Sequence, residues 1–397
     1  EYKNEIADII EKYHQYTLAR RPYFLEKGVF SDVNYGDEAQ QQILKYSQLV
    51  DRVDQIYNKL PEEQRDAFYQ LVVYPVKGAY YMNKKFYYAN KNELYEKQGR
   101  GYSLNLTAGA AEQAELDEEK ETDYYNTELA NGKWNGIMTP YPDTYIAMAP
   151  KVPEVSRKPL APTSGMGVAA EGQTTGTEIP LTFSTYTRDS QFIDIYNTGF
   201  LQFDWEATTS DNWIKLNKSE GTVSAEERIW VSIDWDNVPV GNSTGVITIN
   251  GADETRQVQV SVSNPESPER SEIEGYMEAN GYVSIQAEHY SDKINRSGTE
   301  WQKVDGLGRN GDAMISYPVT ASSVIKDIAS TSSELQYKIY FESAGTFPVE
   351  VHRMPTLDET GKVRLAIGLD DDDPIVMEGQ NKVVANGLKM LWRALKS

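Results

Sequence analysis

Cysteine is absent from the sequence, histidine occurs three times, and basic residues are too few to balance the acids. Without thiols there are no disulfides and no thiolate metal sites. The histidines, His14, His289 and His352, are scattered, and none stands in an H-E-x-x-H arrangement. Lys and Arg number 39 against 60 Asp and Glu, a formal net charge of -21. Nucleic acid needs a basic face for its phosphates, so it is not an expected partner. Anionic membrane surfaces are disfavoured for the same reason. An acidic polysaccharide is repelled too, but over a Debye length of only about 8 Å, so local Arg and Lys groups decide that case. No apolar run reaches the roughly 18 residues of a bilayer-spanning helix, so no membrane span is expected. No signal-peptide pattern is visible either. Glu1 opens inside a helical pattern without Met, which points to a fragment or a processed form.

Enzyme motifs are equally scarce. There is no G-x-S-x-G elbow and no P-loop. No alternating βα series builds a barrel. A glycosidase needs two facing carboxylates in a pocket, and nothing in the sequence places such a pair. Gly306-Leu307-Gly308-Arg309-Asn310-Gly311 fits G-x-G-x-x-G, but a strand-like segment follows where a dinucleotide site needs a helix, so it reads as a turn. The acidic run Asp370 to Asp373 lacks calcium-loop spacing and reads as a solvated turn. No catalytic residue, metal or cofactor is therefore expected in this chain.

What is present is a long helical pattern, then Pro-rich chain, then strands. In 397 residues more than one core is expected. Tyr2, Ile6, Ile9, Ile10 and Tyr13 recur at helical spacing, as do Ile43, Leu49, Val50, Val53, Ile56 and Tyr57. Pro61 with Glu62 and Glu63 restarts a helix with Phe68, Leu71 and Val72 on its buried face. Pro75 should kink or break it, and Gly99 should stop the next helix. The last helix runs from about Leu104 to Ala130. Period-two alternation marks strands at Ile229 to Trp235 and Val258 to Val262, then at Val283 to Ala287, Leu335 to Phe341, Phe347 to Val351 and Val363 to Leu369. Gly387 to Ser397 reads as a short helix. The expected fold is multidomain α and β. An antiparallel helical bundle spans 1–138, and a Pro-rich linker, 139–185, drapes on its neighbours. A small β-sandwich follows at 186–262, a linker at 263–280, and a second, truncated β-sandwich at 281–397.

Tyrosine is abundant, at 27 residues. Most of those between 57 and 95 read as bundle core or its rim. Trp205, Trp213, Trp230 and Trp235 read as sandwich core or inter-domain packing. Trp134, Tyr141 and Tyr145 belong to no periodic element. They are the substrate-cleft candidates, with docking of the linker as the alternative, because sugar C–H faces stack on aromatic rings.

Several segments resemble the C-terminal half of glycoside hydrolase family 115, the xylan α-1,2-glucuronidases. They are Ala19-Arg20-Arg21-Pro22, Val72-Val73-Tyr74-Pro75-Val76-Lys77, Leu94-Tyr95-Glu96-Lys97-Gln98-Gly99-Arg100 and Gly132-Lys133-Trp134-Asn135. The likeness continues, colinear, through Ile193-Asp194-Ile195-Tyr196-Asn197, the run Trp230 to Asp236, Gly281 to Tyr290, Gly306 to Arg309, and Pro355-Thr356-Leu357-Asp358. The resemblance implies a catalytic (β/α)8 barrel, N-terminal to the bundle and missing here. It implies an inverting enzyme that removes 4-O-methylglucuronic or glucuronic acid from glucuronoxylan. It also implies that this part braces the barrel and supports a homodimer, at a bacterial periplasmic or extracellular location. Where the family has a Met-Met stretch and then a His-Ile-Gly-Tyr segment after the Gly-Lys-Trp loop, the corresponding run here, Ile137 to Tyr145, lacks the histidine and its glycine and carries prolines instead. Residues 186–262 are similar to small sandwiches that Bacteroidetes attach to carbohydrate enzymes. Gln286-Ala287-Glu288-His289-Tyr290 is similar to the first strand of carbohydrate-binding sandwiches, where a Glu at the Glu288 position holds calcium or lies at a glycan site. A stand-alone glycan-binding surface protein with a helical stalk is the competing reading.

Overall fold

The structure is a computed structural model. It describes residues 2–21, 25–138, 153–175, 180–309, 311–354, 362–370, 372–380 and 388–394. The chain divides into two compact units, Glu1–Pro265 and Glu266–Ser397.

The first unit opens with helices α1 (Lys3–Ala19), α2 (Glu38–Lys59) and α3 (Glu62–Phe68). A π-helical turn, Tyr69–Val73, then leads without interruption into α4 (Tyr74–Gln98). Pro75 therefore does not break the helix. It sits in the first turn of α4, where its missing N–H costs least, and the wider π turn before it relieves the ring's clash with the preceding carbonyl. The extra residue rotates the chain, so Phe68 and Val72 are buried while Leu71, expected inside, is 69% exposed. Gly99 ends α4 in the left-handed conformation, φ 77, as its position predicts. The chain reverses there into α5 (Gly101–Thr127).

Helices α4 and α5 run antiparallel, which their cross-links record. Lys77 pairs with Glu121, Lys85 with Glu118 and Glu115, and Asn92 bonds the Leu104 carbonyl. Ala79, Ala89, Ala108, Ala111 and Ala114 are buried and small enough to let these two helices approach closely. The larger core contains Ile9, Leu49, Val53, Ile56, Phe68, Val72 and Val76, with Tyr69 and Tyr125 among them. Tyrosine edges fill the rest: Tyr16 meets Tyr46 at 5.5 Å and Tyr69 meets Tyr124 at 4.7 Å. Many of the bundle's tyrosines thus lie in its core or pack against it.

After the bundle, strands β1 (Met166–Ala170), β2 (Leu181–Ser184), β3 (Gln191–Asn197), β4 (Phe203–Thr209), β5 (Ile214–Leu216), β6 (Glu220–Val223), β7 (Glu226–Ile233), β8 (Gly241–Gly251) and β9 (Glu254–Asn264) form two sheets. Their orders are β1-β3-β7-β5 and β2-β9-β8-β4-β6. The two inner faces enclose one core, in which Ile193, Ile195, Ile229, Val231, Ile247, Ile249 and Val260 are essentially inaccessible. Strands β1 and β2 come from the stretch expected to be linker, so the sandwich recruits chain from 166 onward. Trp205 and Trp213 lie in this core and Trp235 packs against it, whereas Trp230 points outward, 42% exposed.

The second unit carries β10 (Tyr276–Met277), β11 (Asp292–Ile294), β12 (Glu300–Val304), β13 (Ala313–Tyr317), β14 (Glu334–Gln336), β15 (Ile339–Tyr340), β16 (Gly345–Val351), β17 (Lys362–Ile367), β18 (Ile375–Gln380) and β19 (Leu388–Ala394). They pair as β10 with β15, β11 with β14, β12 with β13, β16 with β19 and β17 with β18. Two expectations fail here. The helix expected from Gly387 is strand β19 over its described residues, laid antiparallel on β16 with Leu388 opposite Val351. Pairing with that open edge overrides a weak local helix preference. The strand expected at Val283 to Ala287 is a loop. Tyrosine hydroxyls take the place of a ladder, Tyr276 donating to the Gln286 and His289 carbonyls and Tyr337 to that of Ala287.

Candidate functional site

Trp134 lies in the turns that follow α5 and is half-buried against the bundle core, with the Lys133 ammonium 4.7 Å from its ring centre. Asn126 fastens the same segment by bonding the backbone of Met138 in both directions, at 2.7 and 3.0 Å. Tyr141 and Tyr145 lie outside the described residues. Glu288 accepts the backbone N–H of Asp312 at 2.8 Å. Asp312 in turn accepts from Gly306 N–H at 2.7 Å and pairs with Lys303 at 2.8 Å. Glu288 is thereby tied to the loop joining antiparallel strands β12 and β13, the loop that holds the G-x-G-x-x-G run. Among the described residues no group of three His, Asp or Glu could hold a metal ion. Asp370, Asp372 and Asp373 lie between β17 and β18, the Asp372 amide bonding the Leu369 carbonyl; Asp371 lies outside the described residues.

Two cavities among the described residues lie in the bundle. One is lined by Leu25, Phe30, Ala39, Phe86, Tyr87 and Asn90, with Glu26 its single carboxylate. The other, lined by Ile10, Tyr13, His14, Leu71, Val72 and Pro75, has none. Neither offers the facing acid pair that glycoside hydrolysis requires.

The densest polar constellation lies where the bundle meets the first sandwich, and no sequence pattern announced it. Alternation in β3 turns Ile193 and Ile195 into the core and Asp194 and Tyr196 outward. On the neighbouring strand Arg228 stands directly opposite Asp194. The turn at Gly99 delivers Arg100 to this face. Only 3% exposed, Arg100 donates to Asp194 at 3.0 Å, to Glu226 at 2.9 Å and to the Gln98 side chain at 2.6 Å. Its guanidinium lies between the rings of Tyr95 and Tyr196, at 4.5 and 4.8 Å from their centres. Arg228 clasps both Asp194 oxygens, at 2.8 and 3.2 Å, and also reaches Asp37 at 3.4 Å. Glu226 accepts from Tyr95 and Ser103 as well, at 2.9 Å each. Burial pushes the Asp194 carboxyl up, but Arg228 and Arg100 together overcome it and hold the group below the usual carboxylate range.

Glycines allow this close approach. A Cβ on Gly101 would lie 2.4 Å from the Thr198 carbonyl oxygen, and one on Gly167 would enter the Tyr196 ring at 2.1 Å. The described part of the Pro-rich stretch is strapped across α4 and α5. Asn92 bonds the Ser156 backbone in both directions at 2.7 and 3.0 Å, and Asn105 does the same at Lys158 at 3.0 and 2.8 Å. Among the described residues, Arg100, Arg228, Asp194, Glu226 and Asp37 are each paired with an opposite charge. The chemistry of this joint is that of a clamp that fixes two elements together.

Comparison with known proteins adds one family match. The second unit matches the Glycosyl hydrolase family 115 C-terminal domain over residues 275–394. The match takes in Glu288 and the loop it holds, and it makes the second unit similar to that family's C-terminal domain. None of the curated proteins matches the chain. Among solved structures, a family GH115 4-O-methyl-α-glucuronidase, BtGH115A, with specificity for decorated arabinogalactans, is 16% identical at a TM-score of 0.30. That match covers 64% of this chain and 38% of the other. A Bacteroides ovatus GH5 xyloglucanase in complex with a XXXG heptasaccharide is 21% identical at 0.20, covering 26% of this chain and 20% of that one. A PapD-like domain of human CEP192 is 11% identical at 0.21, covering 29% and 95%. The chain thus spans well under half the length of the two hydrolases. Scores this low carry no argument about function.

Proposed function

We propose that the chain is a non-catalytic C-terminal part of a xylan α-1,2-(4-O-methyl)glucuronidase, one that braces a catalytic barrel and supports a homodimer. The match of residues 275–394 to the family 115 C-terminal domain carries this reading. The colinear motifs upstream support it: Leu94 to Arg100 and Ile193 to Asn197 contribute Arg100, Asp194 and Tyr196 to one clamp. The uronic-acid substrate, the periplasmic or extracellular location and the dimer belong to this proposal. So do a cleft role for Trp134, Tyr141 and Tyr145 and a calcium or glycan role for Glu288. The domain limits set out from the sequence belong to it as well, with the first sandwich starting at 166.

The test uses the longer polypeptide encoded by the gene that includes this sequence. Incubated with glucuronoxylan, it should release 4-O-methylglucuronic or glucuronic acid. Release from another uronic-acid glycan alone would overturn the xylan assignment, and no release from any would overturn the enzyme reading. One observation favours the competing glycan-binding reading: Trp230 presents an open ring on the outer sheet face, edge-on to Phe192 at 5.7 Å. That reading expects xylan affinity from this chain by itself, lost in Trp230→Ala.

A further inference from the structure

The loop from Leu25 to Asp37, between α1 and α2, is fastened at one hub. Asn90, on α4, accepts the Gly28 N–H at 2.8 Å and donates its amide to the Phe30 carbonyl at 3.2 Å and to the Asp32 carboxylate. Further along, Ser31 N–H bonds the Glu38 carboxylate at 3.0 Å and the Ser31 carbonyl receives the Ala39 N–H at 3.0 Å. The loop ends at Asp37, which sits in a left-handed conformation, φ 56, and reaches Arg228 of the sandwich.

One atom in this arrangement is out of place. The second Asp32 oxygen, Oδ1, is buried with no hydrogen-bond partner among the described residues. A buried, half-solvated carboxylate is costly while it is charged and much less so once protonated. The charges that face it do not rescue it. Lys91 on α4 favours the ionised form, but Glu93 on α4 and Asp37 at the start of α2 oppose it, and the hydroxyl of Tyr87 on α4 is buried nearby. We propose that residues 25–37 form a proton-operated latch, closed when the Asp32 carboxyl carries its proton and loosened when it ionises. Burial, aided by Asp37 and Glu93 against Lys91, pushes this carboxyl up to about 7.

The direction follows from linkage. The closed loop holds the proton more tightly than the open loop, whose carboxyl titrates near 4. Opening therefore becomes about tenfold easier for each pH unit between roughly 5 and 7, and levels off above that. Because the latch ends at Asp37, loosening it also slackens the Asp37–Arg228 tie between helix and sheet.

The experiment is amide hydrogen exchange on the whole chain from pH 5 to 8.5, each amide corrected for its intrinsic rate and referenced to the core of α4. The expected result is that protection of 25–37 falls by about tenfold per pH unit up to pH 7 and is flat beyond. Asp32→Asn should keep the acid-level protection at every pH. Asp37→Asn should keep the pH dependence but move its midpoint down, because one opposing charge is gone. Protection independent of pH in the wild-type chain, or a midpoint below pH 5, overturns the latch. So does an unchanged pH dependence in Asp32→Asn. The wild-type profile decides the matter even if Asp32→Asn fails to fold.

Discussion

Replacing Arg100 by Met tests the clamp most sharply, because Met keeps the volume and removes the charge. The side chain is nearly inaccessible and makes three hydrogen bonds to side chains, two of them to carboxylates. Removing one member of a buried ion pair costs about 3–5 kcal/mol, since it strands the other charge. Asp194 keeps Arg228, which places the expected loss at the lower end, about 3 kcal/mol. Loss of the cation between Tyr95 and Tyr196 acts in the same direction. With a urea slope of about 2–3 kcal/mol/M, the midpoint of the first unit should fall by roughly 1 M. The exposed pair Arg157–Glu112 is the control: Arg157→Ala should cost less than about 1 kcal/mol. In an Asp194→Asn background Arg100→Met should cost clearly less than in the wild type, because the stranded charge is already gone. The pH profile follows too. Asp194 is held below its ordinary value, so its contribution is present above about pH 4 and is lost as pH falls through the folded value. A midpoint shift no larger than that of Arg157→Ala, or full additivity with Asp194→Asn, would refute the clamp.

Other substitutions test neighbouring parts of the argument. Gly167→Ala should destabilise the first unit by about 2 kcal/mol or more, because its Cβ would enter the Tyr196 ring; a neutral effect by thermal denaturation would contradict that packing. Lys85→Ala should cost about 3 kcal/mol, since Glu115 and Glu118 lose their shared cation between α4 and α5. Burial holds the Glu118 carboxyl above its usual range against Lys85, so part of that loss should be recovered as pH falls towards 5. Gly99→Ala should cost about 1 kcal/mol through its left-handed backbone alone, since nothing crowds the added methyl; a stabilising effect in urea would contradict the cap.

The bundle was legible because Leu49, Val53 and Ile56 repeat at helical spacing and because Gly99 is a strong stop. Pro75 was legible as a disturbance but not as a π turn, and the resulting rotation puts Leu71 in solvent. In the sandwich, alternation placed Ile229, Val231 and Ile233 correctly. Trp230 belongs to the other half of the same alternation, and only treating all tryptophans as core material hid that. Strand β19 was misread because seven residues can satisfy either helix or strand, and the edge of β16 decides. The clamp could not be read at all. Arg100 and Asp194 are 94 positions apart, and a charged residue in an isolated sequence reads as surface. The one available signal was that both fall within segments that resemble a known family.

The central proposal is that this chain supports catalysis without performing it. It is tested most directly by incubating the purified chain alone with glucuronoxylan and measuring released uronic acid. The account predicts no release above the protein-free rate, at any pH between 5 and 8. Release that scales with the amount of chain would contradict it, and would mean that two of its carboxylates face one another across a substrate site.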